Sequence, residues 1–225
     1  MTPLALAALV WIAVHAGLSG TRLRETLTRG IGETPFRSVF SVFSVAAMVL
    51  LLRAWSRAPT EPLWSAPGWL RWILVAAMLP AFLLFVASLS GPNPTVVGPA
   101  RAMGQPPRGV IRVTRHPMLW SFAIWALVHI IGNGDAAAVL FFGAFLLTAL
   151  AGMPSIDAKL ARRDPASWQA LSAETSIAPF GAIAAGRNRL VLGEIGWVTP
   201  AIAIVAWAMM LWLHPLLFGV APVAT

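Results

Sequence analysis

The chain has 225 residues, 58% of them hydrophobic and 11% charged, with a mean hydropathy of +0.77; a soluble domain carries about 25% charged residues, so this is the composition of a membrane protein. The net charge of +8 falls in loops between apolar runs, the pattern of membrane-protein loops, and no nucleic-acid partner is expected. Cysteine is absent, which excludes disulfides, thiolate catalysis, iron–sulfur clusters and thiolate-ligated haem, and leaves His, Met, Asp, Glu or backbone as ligands for any metal.

The sequence predicts an all-α integral membrane bundle of about six transmembrane helices in one domain, residues 1–225. Thr2–Leu18 reads as a retained first membrane helix, since no basic segment precedes it and no clean Ala-x-Ala site follows. A basic loop with Arg22, Arg24 and Arg29 comes next, and Thr34–Pro35 reads as an N-cap followed by proline at the first helical position. The second helix is predicted over Pro35–Leu52 and the third, with a kink at Pro80, over Pro67–Leu89. Between them lies a proline-rich linker, and Trp55, Trp64, Trp69 and Trp72 suit an interfacial belt. The stretch from Ser90 to Gly109 reads as a loop. Helix four runs from His116–Pro117 to Ile131, a tight Gly132–Asp135 turn follows with Asp135 as N-cap, and helix five covers Ala136–Met153. Pro154–Glu194 is the most polar part, with an amphipathic helix over Asp164–Thr175, and the sixth span is Gly196–Leu213.

Charge asymmetry orients this bundle. Arg22, Arg24, Arg29, Arg37, Arg101, Arg108, Arg112, Arg115, Lys159, Arg162, Arg163, Arg187 and Arg189 fall on one side. Arg53, Arg57 and Arg71 are the remainder of the 16 basic residues. The positive-inside rule puts the first group in the cytoplasm and both termini outside, in a bacterial inner membrane, with membrane lipid as the surrounding partner.

Ionisable residues within membrane helices are costly, so each is a functional candidate. His15 and His129 are the deepest. Trp125 and His129 are four apart and share a helix face that Met118 and Phe122 extend. A neutral imidazole beside aromatic rings suits a haem-iron ligand, and equally an interhelical hydrogen bond. His116 precedes His129 by thirteen residues, and at about 100° per residue the two point to different faces. Arg115–His116–Pro117 sits where a loop enters helix four, placed to meet an anion or head group at the helix N-terminus, or to act as a snorkelling Arg and a capping His. His214–Pro215 lies near the other surface.

Taken together, Arg115–Met118, Trp125–His129 and Asn133–Asp135 resemble the NnrU family of membrane proteins, which includes 15-cis-zeta-carotene isomerases. Val14–Leu18, Leu23–Glu25, Ile31–Glu33, Phe36–Phe40, Thr175–Phe180 and His214–Leu216 extend the resemblance over nearly the whole chain. The resemblance implies haem b held between His15 and His129, with His116, Trp125 and Arg115 at the cofactor, His15 and His129 as metal ligands and catalytic residues, and an apolar polyene substrate undergoing cis–trans isomerisation. It also implies a cysteine three residues before the second histidine, where this chain has Ala126. In upright helices His15 and His129 differ in depth by ~10–15 Å at ~1.5 Å per residue, so His15 with His116 and His129 with His214 are alternative pairs. A second likeness, of Arg-His-Pro followed by a basic segment and a Pro-Phe pair, is to isoprenylcysteine methyltransferase-type membrane enzymes. Where those use paired glutamates, this chain has Ile156–Asp157. Two alternative functions follow: a non-catalytic haem or sensor protein of nitrogen-oxide metabolism, and a membrane methyltransferase-like enzyme centred on Arg115, His116 and Arg162. The sequence leaves the oligomeric state open.

Overall fold

A computed structural model of the chain describes residues 1–18, 20–95 and 104–223. The chain is an all-α membrane bundle: the described residues hold helices and turns, and no strand beyond one isolated bridge between Pro62 and Asp135. In chain order the helices are α1 (Thr2–Ile12), α2 (Leu23–Ile31), α3 (Glu33–Trp55), α4 (Gly68–Leu89), α5 (Val110–Val113), α6 (Pro117–Asn133), α7 (Ala136–Arg163), α8 (Pro165–Glu174), α9 (Gly181–Ala184) and α10 (Val198–Phe218). A π-helical turn, Ala13–Leu18, continues α1. Among the described residues α3, α4, α7 and α10 are long and apolar enough to cross a membrane. Thr2–Leu18 with α2 makes a fifth candidate only if the two, bent by 71°, count as one span, and α6 is shorter at 17 residues.

Two compact units divide the chain. The first comprises residues 1–66 and 126–155, the second 67–125 and 156–225, so α6 and α7 each contribute to both. In the first unit α1 packs along α3 through Leu4, Ala7, Ala8 and Trp11, one apolar face at i, i+3, i+4 and i+7. Glu61–Trp64 straps the turn between α6 and α7. Leu63 and Trp64 both donate backbone N–H bonds to the Gly134 carbonyl (2.8 and 3.0 Å), Ala136 donates to Glu61 (2.9 Å), and Trp64 Nε1 donates to the Ile131 carbonyl (3.0 Å). Gly134 has φ +69°, and a Cβ there would run into the Trp64 backbone, so glycine is required on both counts. Asp135 caps α7, accepting from Ala138 N at 2.8 Å, as expected. In the second unit α4 packs against α10, with Trp207 Nε1 donating to the Val75 carbonyl at 3.0 Å.

Several boundaries differ from those read in the sequence. The basic stretch after the first helix is helical, as α2. Gly32, at φ +87°, turns the chain directly into α3, so Thr34 is not the N-cap and Pro35 sits in the first turn, where a missing N–H costs nothing. α7 continues through Pro154 to Arg163, where Met153 was the expected end, and α10 continues through Pro215 to Phe218. Asp164 caps α8, accepting from Ser167 N at 3.1 Å. Arg101 and the middle of the Ser90–Gly109 loop lie outside the described residues.

Candidate functional site

His15 stands in the π-helical turn after α1. A π turn inserts an extra residue and re-aims the side chains that follow, and such turns gather at functional positions. Its Nδ1 donates to the Trp11 carbonyl at 2.9 Å. A carbonyl can only accept, so in the neutral imidazole Nε2 carries the lone pair, which accepts from the Ser44 hydroxyl of α3 at 3.0 Å. The Trp11 ring stacks on this imidazole with centroids 3.8 Å apart, and Phe40 meets it edge-on at 5.6 Å. Trp11 Nε1 is itself buried without a hydrogen-bond partner among the described residues.

His129 lies in the same unit, near the end of α6, and its ring stacks on Phe142 of α7 at 4.8 Å. An unbroken run of ring contacts joins the two histidines. Trp11 meets Phe145 at 4.7 Å, Phe145 meets Phe141 at 5.3 Å, and Phe141 meets Phe142 at 5.0 Å. Trp55 adds a further stacked ring on Phe141 at 4.4 Å. Aromatic pairs at these separations are mutually stabilising and leave few polar atoms around either imidazole.

Arg115 and His116 belong to the second unit, and here the structure departs from what their position at a helix entrance suggests. Rather than snorkelling to a surface, both turn inward onto Asp157 of α7. Arg115 donates from Nε to both carboxylate oxygens (3.0 and 3.1 Å) and from Nη2 at 2.6 Å, while His116 donates from Nε2 at 2.8 Å. His116 is fully buried, and its Nδ1 has no partner among the described residues. The guanidinium lies over the Trp168 ring at 5.1 Å. Around it, Arg115 N donates to the Ser176 carbonyl (3.1 Å), Thr95 Oγ1 to the Arg115 carbonyl (2.6 Å), and Thr114 Oγ1 to the Ile177 carbonyl (2.8 Å). Trp120 Nε1 donates to Ile177 as well, at 2.8 Å. Trp120 is therefore pinned to the loop before α9, and Phe122 packs edge-on against Phe85 at 6.0 Å. His214 donates to the Val220 carbonyl at 2.7 Å and packs on Phe218.

The sequence named His15, His129, Arg115, His116 and His214 but missed two partners. Asp157 appears in it only as a substitute for an absent glutamate pair, because it lies in the polar stretch beyond Met153, where helix five was expected to end, among Lys159, Arg162 and Arg163. Ser44 carried no signal, being one of three serines in an unremarkable span.

Beyond these sites, a second salt link closes the polar end of the second unit. Arg112 meets Glu194 through Nε (2.7 Å) and Nη2 (2.9 Å), and Gly109 N donates to the same carboxylate at 2.7 Å. The Arg112 guanidinium and the Gly109 N–H pull the Glu194 carboxyl down to about 2. Among the described residues no cluster of three or more His, Asp or Glu forms a metal site.

The sequence model described as NnrU protein matches residues 3–222. The chain belongs to the NnrU family. Among its relatives, this NnrU protein is 28% identical over 187 residues to "15-cis-zeta-carotene isomerase, chloroplastic" of Arabidopsis thaliana, an alignment covering 81% of this chain and 50% of that one. It is 27% identical over 190 residues to the protein of the same name in Zea mays, with the same two coverages. The NnrU chain thus spans about half the length of these curated relatives. No solved structure matches it.

Proposed function

We propose that this protein is a membrane-embedded isomerase that converts a cis double bond of a carotenoid-like polyene to trans, using haem b held by His15 and His129. What carries the reading is that both matched relatives are named 15-cis-zeta-carotene isomerase over four-fifths of this chain. At His15 the donor chemistry suits such a group. His15 has its Nδ1–H fixed by the Trp11 carbonyl, the outer-shell bond that orients an iron-ligating imidazole, and presents the Nε2 lone pair. Rotation of the Ser44 hydroxyl frees that lone pair. Trp11 Nε1, buried and unpaired beside it, offers a hydrogen bond to a polar edge of a bound group. His129 supplies a second imidazole in the same unit, within the same aromatic run.

When bound, the iron supplies coordination or electron exchange that lowers the order of one double bond and so eases rotation about it. The chain's own contribution is to exclude water, to orient the His15 imidazole through the Trp11 carbonyl, and to offer aromatic surfaces on which a flat polyene stacks. The membrane is the bacterial cytoplasmic one, with the strongly basic loops inside and both termini outside. The first helix and α6, at the lower limit of about 17–25 residues for a span, cross with the four longer helices.

Supplying a heterologous host with zeta-carotene that carries a 15-cis bond tests the reading. Its conversion to the 15-trans form, seen by chromatography and lost in His129→Ala, is the expected result. Unchanged substrate with well-expressed protein sinks it.

A further inference from the structure

The end of α3 and the start of α1 line an open cleft of about 320 Å³ in the first unit. Its lining includes Met1, Leu4, Leu50, Arg53, Ala54 and Arg57. Arg53 and Arg57 are four apart, both exposed, and project from the same side of the chain where α3 ends. Neither guanidinium has a hydrogen-bond or ion-pair partner among the described residues, whereas Glu33, at the opposite end of α3, is engaged by both Arg24 and Arg37. Like charges at this spacing repel. The helix C-terminus offsets some of that repulsion, but leaves the hydrogen-bonding capacity of both side chains unused.

We infer that Arg53 and Arg57 form a binding site for the phosphate of an anionic glycerophospholipid, whose acyl chain lies along Leu50. Guanidinium groups match phosphate oxygens in charge and in fork geometry. Beside the two cations the lining is apolar: Leu4, Leu50 and Ala54 line the cleft, and Leu50 and Leu52 stand exposed on the spanning helix. A soluble anion gains nothing from such a lining, while a lipid covers it with its tail. The arrangement, cations beside hydrocarbon at the end of a membrane span, is that of a lipid at its ordinary depth. By the charge pattern of the sequence this is also the side where basic residues are scarce, and two of its three sit here.

Native mass spectrometry of the full chain in detergent, with equal amounts of phosphatidylglycerol and phosphatidylcholine, tests the assignment. The expected result is one retained phosphatidylglycerol, preferred over phosphatidylcholine by roughly thirtyfold for two basic residues. Replacing both arginines (R53Q with R57Q) abolishes the preference, and R53K with R57K keeps most of it, which separates charge from a structural role. Inorganic phosphate at millimolar concentration leaves the lipid in place. The assignment is overturned by equal retention of the two lipids, by a preference that survives in the glutamine variant, by displacement with free phosphate, or by a second copy of the chain occupying the site in place of lipid.

Discussion

His15 and His116 are both buried or half-buried histidines beside tryptophan-bearing helices, yet the two regions treat their imidazoles in opposite ways. In the first unit His15 is bound by neutral groups, a carbonyl and a hydroxyl, and is stacked on Trp11. In the second unit His116 shares the Asp157 carboxylate with Arg115. A neutral imidazole whose lone pair is engaged only by a rotatable hydroxyl is available to a ligand. An imidazole locked to a buried ion pair is held for architecture, because moving it gives up a hydrogen bond to a buried carboxylate. The comparison teaches that the Arg-His-Pro sequence, although it looks like a site at a helix entrance, ties α6 to α7.

Breaking the ionic region has the largest expected effect. Asp157→Ala leaves Arg115 buried without its counter-charge, and a cost of about 3–5 kcal/mol follows. Denaturant unfolding in detergent micelles checks it; a loss under ~1 kcal/mol removes Asp157 from this structural role. Gly134→Ala comes next, at about 1–3 kcal/mol, because both the positive φ and the Trp64 backbone oppose a side chain. The same unfolding measurement applies, and Asn133→Ala, which removes only a side-chain bond to the His129 carbonyl, serves as the milder comparison.

Ser44→Ala separates the regions more finely. Losing one hydrogen bond to a half-buried imidazole costs about 1 kcal/mol. If the hydroxyl competes for Nε2, the variant binds haem at least as tightly as the parent chain in a spectroscopic titration. Weaker binding makes Ser44 an orienting group instead. The smallest effect is electrostatic. Glu194 is depressed from its ordinary value of 4.5 to about 2, so its link to Arg112 contributes stability that is fully present above pH 4.5 and is lost as pH falls towards 2. The hydrogen-exchange protection factor of the Gly109 amide, which donates to this carboxylate, therefore falls only in that acid window. A fall in protection already between pH 6 and 5 contradicts the assignment.

How much of this was legible follows from which forces write themselves into sequence. The apolar segments were readable because bilayer thickness demands long hydrophobic runs, and α4 begins and ends within a residue of where it was expected. Asp135 was readable as a cap because capping is local. The ends of α7 and α10 were not, since each runs through a proline, Pro154 and Pro215, that local rules treat as a stop. Nor was the π turn at His15. The candidate sites show the same split. His15 and His129 stood out as costly groups in apolar helices. The Arg115–Asp157 pair, separated by 42 positions, needed the fold to bring it together.

The central claim is that the first unit's histidines, and not His116, hold a haem. Absorption spectra of the purified chain, loaded with haem b and compared across His15→Ala, His129→Ala and His116→Ala, test it most directly. The account predicts a Soret band that is lost or shifted to five-coordinate form in the first two variants and unchanged in His116→Ala protein that remains folded. No Soret band in the parent chain, or a band indifferent to both His15 and His129, contradicts it.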